Sequence, residues 1–340
     1  MNWLAYALLS SLSFGVQDTI SYELLHVDKI GSAAVNTIVH CIFVMLGLGI
    51  SYITGSVTVA NDIKTILSKY KLLITLAGIC ALIGNIMLYW AYQIGSNINP
   101  GIITTISNGA VIVSTILAYL FFNKSVTLKQ TLGIIVMLFA FTMGAMGNKL
   151  FGIKDQSKKS DKSDKSDNSH KTDKKKDDKK SNNHMWVLIA ALSALSYGGL
   201  SFFQYMVTQK DKKLNMISLA ITVALVEAII GILIYGLTHI PGLSNIQQGP
   251  FKNYKDDINK LFQLKYLPFT SSTALFDGAG LATLLKSYRI APNPGFSDVI
   301  SDSYSVIQSI LTFLIYGEKM DITQALSIIV SILGITLISI

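Results

Sequence analysis

In this chain of 340 residues 51% are hydrophobic and 14% charged, and the mean hydropathy is +0.48, whereas a soluble domain carries about 25% charged residues. That balance excludes an ordinary soluble domain and implies a polytopic membrane protein. The formal net charge of +8 does not imply a nucleic-acid partner, because most basic residues fall in loops between apolar runs, where they set topology and anchor interfaces.

Ten apolar runs have the length of about 20 residues that a bilayer requires. They are Trp3 to Leu25, Gly31 to Ile53, Leu72 to Ile94, Pro100 to Phe122, Gln130 to Met146, Met185 to Val207, Met216 to Leu237, Tyr266 to Lys286, Pro294 to Tyr316 and Ile322 to Ile340. The first starts at Trp3 with no basic segment before it and no small-residue cleavage site after it, so it is expected to remain as a span. Cys41 and Cys80 lie within apolar runs and read as buried thiols rather than a disulfide framework. From Lys154 to His184 the chain is almost entirely Lys, Asp, Ser and Asn. Such a segment has nothing apolar to bury and is expected to be a disordered linker. The implied organisation is a first unit over residues 1–148, a linker over 149–184 and a second unit over 185–340.

The two units are copies of one another. Trp3, Ala7, Ser10, Ser13, Gly15 and Tyr22 recur at constant offset as Trp186, Ala190, Ser193, Ser196, Gly198 and Tyr205. Later, Tyr92 and Asn99-Pro100-Gly101 are matched by Tyr288 and Asn293-Pro294-Gly295, and the match runs without a gap through Ser107 and Ser301 to Gln130 and Gln324. Short amphipathic segments repeat as well, with Ile63, Ile66 and Leu67 echoed by Ile258, Leu261 and Phe262; each is expected to lie along the membrane surface. With five spans per unit, the second copy enters from the opposite side. The predicted fold is therefore an all-α membrane protein of ten transmembrane helices in two inverted five-helix repeats, an architecture of secondary transporters.

On these motifs the chain resembles the drug/metabolite transporter superfamily, in particular its ten-helix EamA-type members. The resemblance is carried by Phe14-Gly15 and Tyr197-Gly198 in the first helix of each half, and by the run from Pro294 to Gly317-Glu318, followed by the polar Asp321 to Gln324 and the Gly334 helix. It covers nearly the whole chain outside the linker. One departure is that the first half has Asn123-Lys124 where the second has Gly317-Glu318, so any role for that glutamate falls to Glu318 alone. The resemblance implies a cytoplasmic N-terminus. Ten basic residues in short loops on that side against six opposite agree with it, although the linker adds twelve lysines to the far side.

Ionisable groups within spans are costly and mark function. Asp298 and Asp302 are four residues apart and share a helix face. Their repeat mates are Thr104 and Asn108, so a shared cavity would be acidic on one side and neutral on the other, as suits a cation, an amine or a coupled proton. Asp298, four residues past Pro294, also suits a helix start, where an acid favours the positive end of the dipole. Asp277, midway along its run beside Gly278 and Gly280, suits either a cavity or close helix packing. Asp18, just past Gly15, is read as facing substrate or the membrane surface. Asn85, Tyr89 and Tyr197 offer donors, acceptors and aromatic faces, and Tyr89 alternatively joins Trp90 and Tyr92 in an interfacial belt. The substrate-binding set is thus Asp18, Asn85, Tyr89, Asn108, Tyr197, Asp277, Asp298 and Asp302. Glu227 and His40 lie on helices that the resemblance makes peripheral, and are expected to be polar glue. Lys286 and Arg289, at the end of an apolar span before a Pro-limited turn, suit either a phosphate or carboxylate site or, the favoured reading, an anchor for their helix at the interface, and Glu318 is expected to be structural or gating.

No nucleotide loop, metal-ligand cluster or nucleophile motif is present, so neither a cofactor nor enzymatic activity is expected. The expected function is secondary transport of a small organic metabolite by alternating access, with the lipid bilayer, the solute and a coupling ion or proton as partners. The alternative is a non-transporting receptor, scaffold or lipid-handling protein that keeps the transporter fold. An ion channel finds no filter sequence to support it.

Overall fold

The computed structural model describes residues 2–53, 57–95, 98–122, 127–146, 185–240, 249–291, 294–318, 320 and 322–339. The linker expected over 149–184 lies outside the described residues, as does Asn123-Lys124. All the regular structure among the described residues is helical. The first half comprises α1 (Trp3–Tyr22), which runs into a π-helical turn (Glu23–Val27), α2 (Ser32–Ile53), α3 (Val57–Lys69), α4 (Lys71–Ile94), α5 (Pro100–Ser107), α6 (Ala110–Phe122) and α7 (Leu128–Met146). The second half repeats the order: α8 (Met185–Lys210), α9 (Met216–Leu237), α10 (Tyr254–Leu261), α11 (Leu267–Ile290), α12 (Pro294–Ser301), α13 (Tyr304–Tyr316) and α14 (Ile322–Ser339).

Local chemistry explains several boundaries. Asn99 caps α5 by accepting the Gly101 N–H at 3.0 Å, with Pro100 in the first turn, where its missing N–H is no loss. Asn215 caps α9 in the same way, 2.9 Å from the Ile217 nitrogen. Gly317, at φ +69°, closes α13 in the left-handed conformation that a residue lacking Cβ adopts freely.

Among the described residues six stretches are long and apolar enough to cross a membrane: α2, α4, α5 with α6, α8, α9, and Phe296 to Tyr316 across α12 and α13. In α7 and α14 the apolar cores are shorter, Thr131–Ala140 and Ala325–Gly334. Polar and small residues lower the hydropathy of α1 and α11, and these residues are turned inward. Ser10, Ser11, Gln17, Asp18, Thr270, Thr273 and Asp277 are all buried, while Leu8, Leu12, Leu267 and Leu275 face outward. Outward leucine and inward serine is the reverse of a soluble helix and suits an apolar solvent.

The packing exchanges the halves. Helix α1 packs on α11, and its counterpart α8 packs on α4; α1 also contacts α12 and α13, as α8 contacts α5 and α6. The equivalents α2 and α9 pack on each other, as do α7 and α14.

One expectation from sequence needs correction. The runs Pro100 to Phe122 and Pro294 to Tyr316 keep their spanning length, but each consists of two helical segments, divided by a turn at Asn108-Gly109 and at Asp302-Ser303, rather than one uninterrupted helix. The backbone tightens there: the Gly109 N–H bonds to Ile106 O at 3.0 Å, and the Val111 N–H to Asn108 O at 3.2 Å. At the equivalent place the Ser303 N–H bonds to Ile300 O at 3.3 Å, and the Val306 N–H to Ser303 O at 3.0 Å. Asn and Asp with a small residue beside them favour such turns even in an apolar run.

Candidate functional site

The two breaks meet where the Asn108 side-chain amide donates to the backbone carbonyl of Asp302. A backbone carbonyl at such a tight turn needs a partner at depth, and Asn108 supplies one to Asp302. A cavity holding about 100 Å3 of space for water-sized groups lies between the halves, enough for several waters or a small polar moiety. Of the eight substrate-binding residues expected from sequence, seven line it: Asp18, Asn85, Asn108, Tyr197, Asp277, Asp298 and Asp302. Tyr89 stands behind the wall, accepting from Gln17 Nε2 at 3.0 Å and lying 3.3 Å from Ser21 Oγ. It is buried rather than part of an interfacial belt.

His40 and Glu227, expected to be peripheral glue, also line the cavity. The His40 Nε2 lies 3.3 Å from Glu227 Oε1 and 3.4 Å from Asp277 Oδ2. Its Nδ1 is 2.8 Å from the Asn36 carbonyl, which can only accept, so Nδ1 carries a proton and Nε2 is the nitrogen turned to the acids. Glu227 Oε2 accepts from Asn85 Nδ2 at 3.1 Å, and Asn85 Oδ1 accepts from the Tyr197 hydroxyl at 2.5 Å. Seen whole, the lining holds five carboxylates, Asp18, Glu227, Asp277, Asp298 and Asp302, and a single imidazole.

Two hydrogen-bond clusters flank this centre. In one, the Tyr92 hydroxyl donates to Asp18 Oδ2 at 2.8 Å and lies 2.6 Å from Thr104 Oγ1, which donates to Gln308 Oε1 at 2.5 Å. In the other, Asp298 accepts from the Tyr288 hydroxyl, from Ser114 Oγ at 2.9 Å and from Ser201 Oγ at 3.4 Å. Asp298 is therefore engaged by side chains of α6, α8 and α11. Asp302 is different: no hydrogen bond from the described residues reaches its carboxylate, and it is only half-buried.

Farther along α1, Glu318 accepts from the Tyr22 hydroxyl at 2.9 Å and lies 3.9 Å from His26 Nε2, tying the end of α13 to α1. Lys286 and Arg289 do not reach the acidic cavity; they line a separate surface pocket.

These features define an all-helical membrane protein with an acidic cavity between two interlocked halves. No protein-family model matches the chain, and no curated protein sequence does. A solved crystal structure of a protein is similar over 98% of this chain and 94% of its own, at 10% sequence identity and a TM-score of 0.49. That degree of likeness carries no functional inference.

Proposed function

We propose that the protein is a secondary transporter of a small organic solute, an EamA-type member of the drug/metabolite transporter superfamily. On this reading ten spans form two inverted five-helix repeats that rock about a central site, with the N-terminus in the cytoplasm. The observation that carries it is the pair of broken helices, which bring Asn108 and Asp302 together at the wall of a polar cavity between the halves. Discontinuous helices meeting at depth are how many transporters hold a substrate. The exchanged packing of α1 on α11 and α8 on α4 supports the repeat.

Five carboxylates facing one imidazole favour a cationic solute, or a solute carried with protons, since uncompensated acids within a span are costly. Asp302 is the carboxylate left open to it. Purified protein reconstituted in vesicles should accumulate a stabilising solute down an imposed proton or ion gradient. Asp302→Asn should reduce that flux or move its pH dependence. Absence of gradient-driven flux for every ligand that stabilises the protein would sink the transport reading and favour a non-transporting receptor; unchanged uptake by Asp302→Asn at all pH values would remove that residue from it.

A further inference from the structure

We infer that the basic pocket formed by the last turns of α11 and the link between α8 and α9 binds a phosphate-bearing headgroup at the membrane surface. The pocket holds about 550 Å3 of space for water-sized groups and is distinct from the acidic cavity. Ala282, Thr283, Lys286 and Arg289 present one face of α11 to it, at the spacing that stacks side chains along a helix. Lys213 comes from the link, and the first turn of α9 and the amphipathic α3 complete the walls.

Three cations thus converge, and among the described residues none of them is in an ion pair. Arg289 is held in place by donating from one terminal nitrogen to the Leu214 carbonyl, yet its Nε is buried with no acceptor among the described residues. A buried guanidinium donor left unmade is costly unless an acceptor arrives from outside. The one acid lining the pocket, Asp62, accepts the Asn215 backbone N–H at 2.8 Å and so is committed to the link. The capped start of α9 adds the positive end of a helix dipole. Exposed Ile217 on that same turn gives the pocket an apolar lip.

Three cations, one of them held in place, an unfilled donor and a helix start match the chemistry of a phosphodiester or phosphomonoester oxygen. The source is a phospholipid headgroup or a soluble phosphate, and the test separates them. Full-length protein in neutral detergent is titrated with phosphatidylglycerol, phosphatidylcholine and inorganic phosphate, and binding is read by native mass spectrometry and melting midpoint. Phosphatidylglycerol should bind in preference to phosphatidylcholine, and K286Q/R289Q should weaken it about thirtyfold, at roughly fivefold per cation. Asp62→Asn, which retains an oxygen for the Asn215 N–H, should tighten it severalfold; this variant tests the inference even where the double variant does not fold. Displacement of the lipid by millimolar inorganic phosphate identifies a soluble phosphate as an occupant, and failure to displace it identifies the lipid. Equal binding of the two lipids without any effect of phosphate, or unchanged binding in both variants, overturns the inference. None of these readouts depends on transport.

Discussion

Gly101 is where the closed arrangement of α5 on α13 can be pried apart. A Cβ built there would lie 1.7 Å from Ser309 Oγ and 2.6 Å from the Ser305 carbonyl oxygen. The serine hydroxyl can rotate away from its 2.7 Å bond to Ser305 O, but the carbonyl belongs to the backbone of α13. Relief requires the helices to part by roughly 0.8 Å, and overpacking of this kind costs about 1–3 kcal/mol. The 2.5 Å Thr104 to Gln308 bond bridges the same two helices. Stretching it costs about 1 kcal/mol more, while the gain in helix propensity of Ala over Gly returns a similar amount. The net penalty of about 2 kcal/mol falls on this conformation alone, and it shifts the balance toward one with α5 and α13 separated by about thirtyfold. Thr312, fully buried on α13 within 3.5 Å of Asn99 Nδ2, reports the separation. In a background lacking Cys41 and Cys80, the thiol of Thr312→Cys should react with a water-soluble reagent about thirtyfold faster when Gly101→Ala is added. Reaction rates within twofold of each other, with an unchanged melting midpoint, would refute the reasoning.

Replacing His40 by Gln leaves Glu227 and Asp277 facing each other without the group that lies 3.3 and 3.4 Å from them. Leaving buried polar partners unmatched in this way costs about 1–3 kcal/mol or more, and adding Asp277→Asn should recover part of the loss in melting midpoint; strict additivity of the two changes would argue against the pairing. Asp257, on the surface helix α10, accepts the Gly31 N–H at 2.7 Å and lies 3.5 Å from Lys260 Nζ. Burial, the strongest influence, pushes its carboxyl above the ordinary value of 3.8, so the folded protein holds this proton more tightly than the unfolded chain. Its contribution to stability therefore declines as pH rises from the unfolded value through the higher folded one. Asp257→Asn should flatten that part of the melting-midpoint profile, and an identical profile would show that the residue does not titrate there.

Copying at fixed offset makes the pairing of the halves legible in the amino-acid order alone: Asn99-Pro100 and Tyr92 announce their counterparts in α12 and α11. Depth is legible as well, since Asp277, Asp298 and Asp302 sit inside apolar runs and all three line the cavity. The breaks are not. Asn108-Gly109 and Asp302-Ser303 interrupt runs whose average hydropathy is that of a span, and their cost is met by contacts across the halves, such as Asn108 to the Asp302 carbonyl. Pairing across distant helices is equally hidden. His40 and Glu227 are 187 positions apart, and nothing in either run says that they face one another. Their helices are long and apolar, which fixes how deep they lie but not how they are rotated.

The two flanking clusters differ in the helix that supplies the acid. Each position in one has its repeat mate in the other: Asp18 with Ser201, Tyr92 with Tyr288, Thr104 with Asp298, and Gln308 with Ser114. Both clusters place one carboxylate against one tyrosine hydroxyl, yet the carboxylate stands on α1 in the first and on α12 in the second. The contact between carboxylate and phenol is shared, whereas the helix that supplies the acid is not. Moving the acid within a cluster should then preserve what deleting it destroys. Asp18→Ser alone leaves the Tyr92 hydroxyl without its 2.8 Å carboxylate acceptor, at a cost of about 1.5–3 kcal/mol for a bond to a charged group. Adding Thr104→Asp places a carboxylate at the position whose Thr104 Oγ1 lies 2.6 Å from the same hydroxyl and gives the first cluster the α1 and α5 residues that the second has on α8 and α12. The double variant should regain most of the melting midpoint lost by Asp18→Ser. A double variant no more stable than Asp18→Ser would show that the two clusters are not interchangeable, and that Asp18 acts through its place on α1 rather than through its bond to Tyr92.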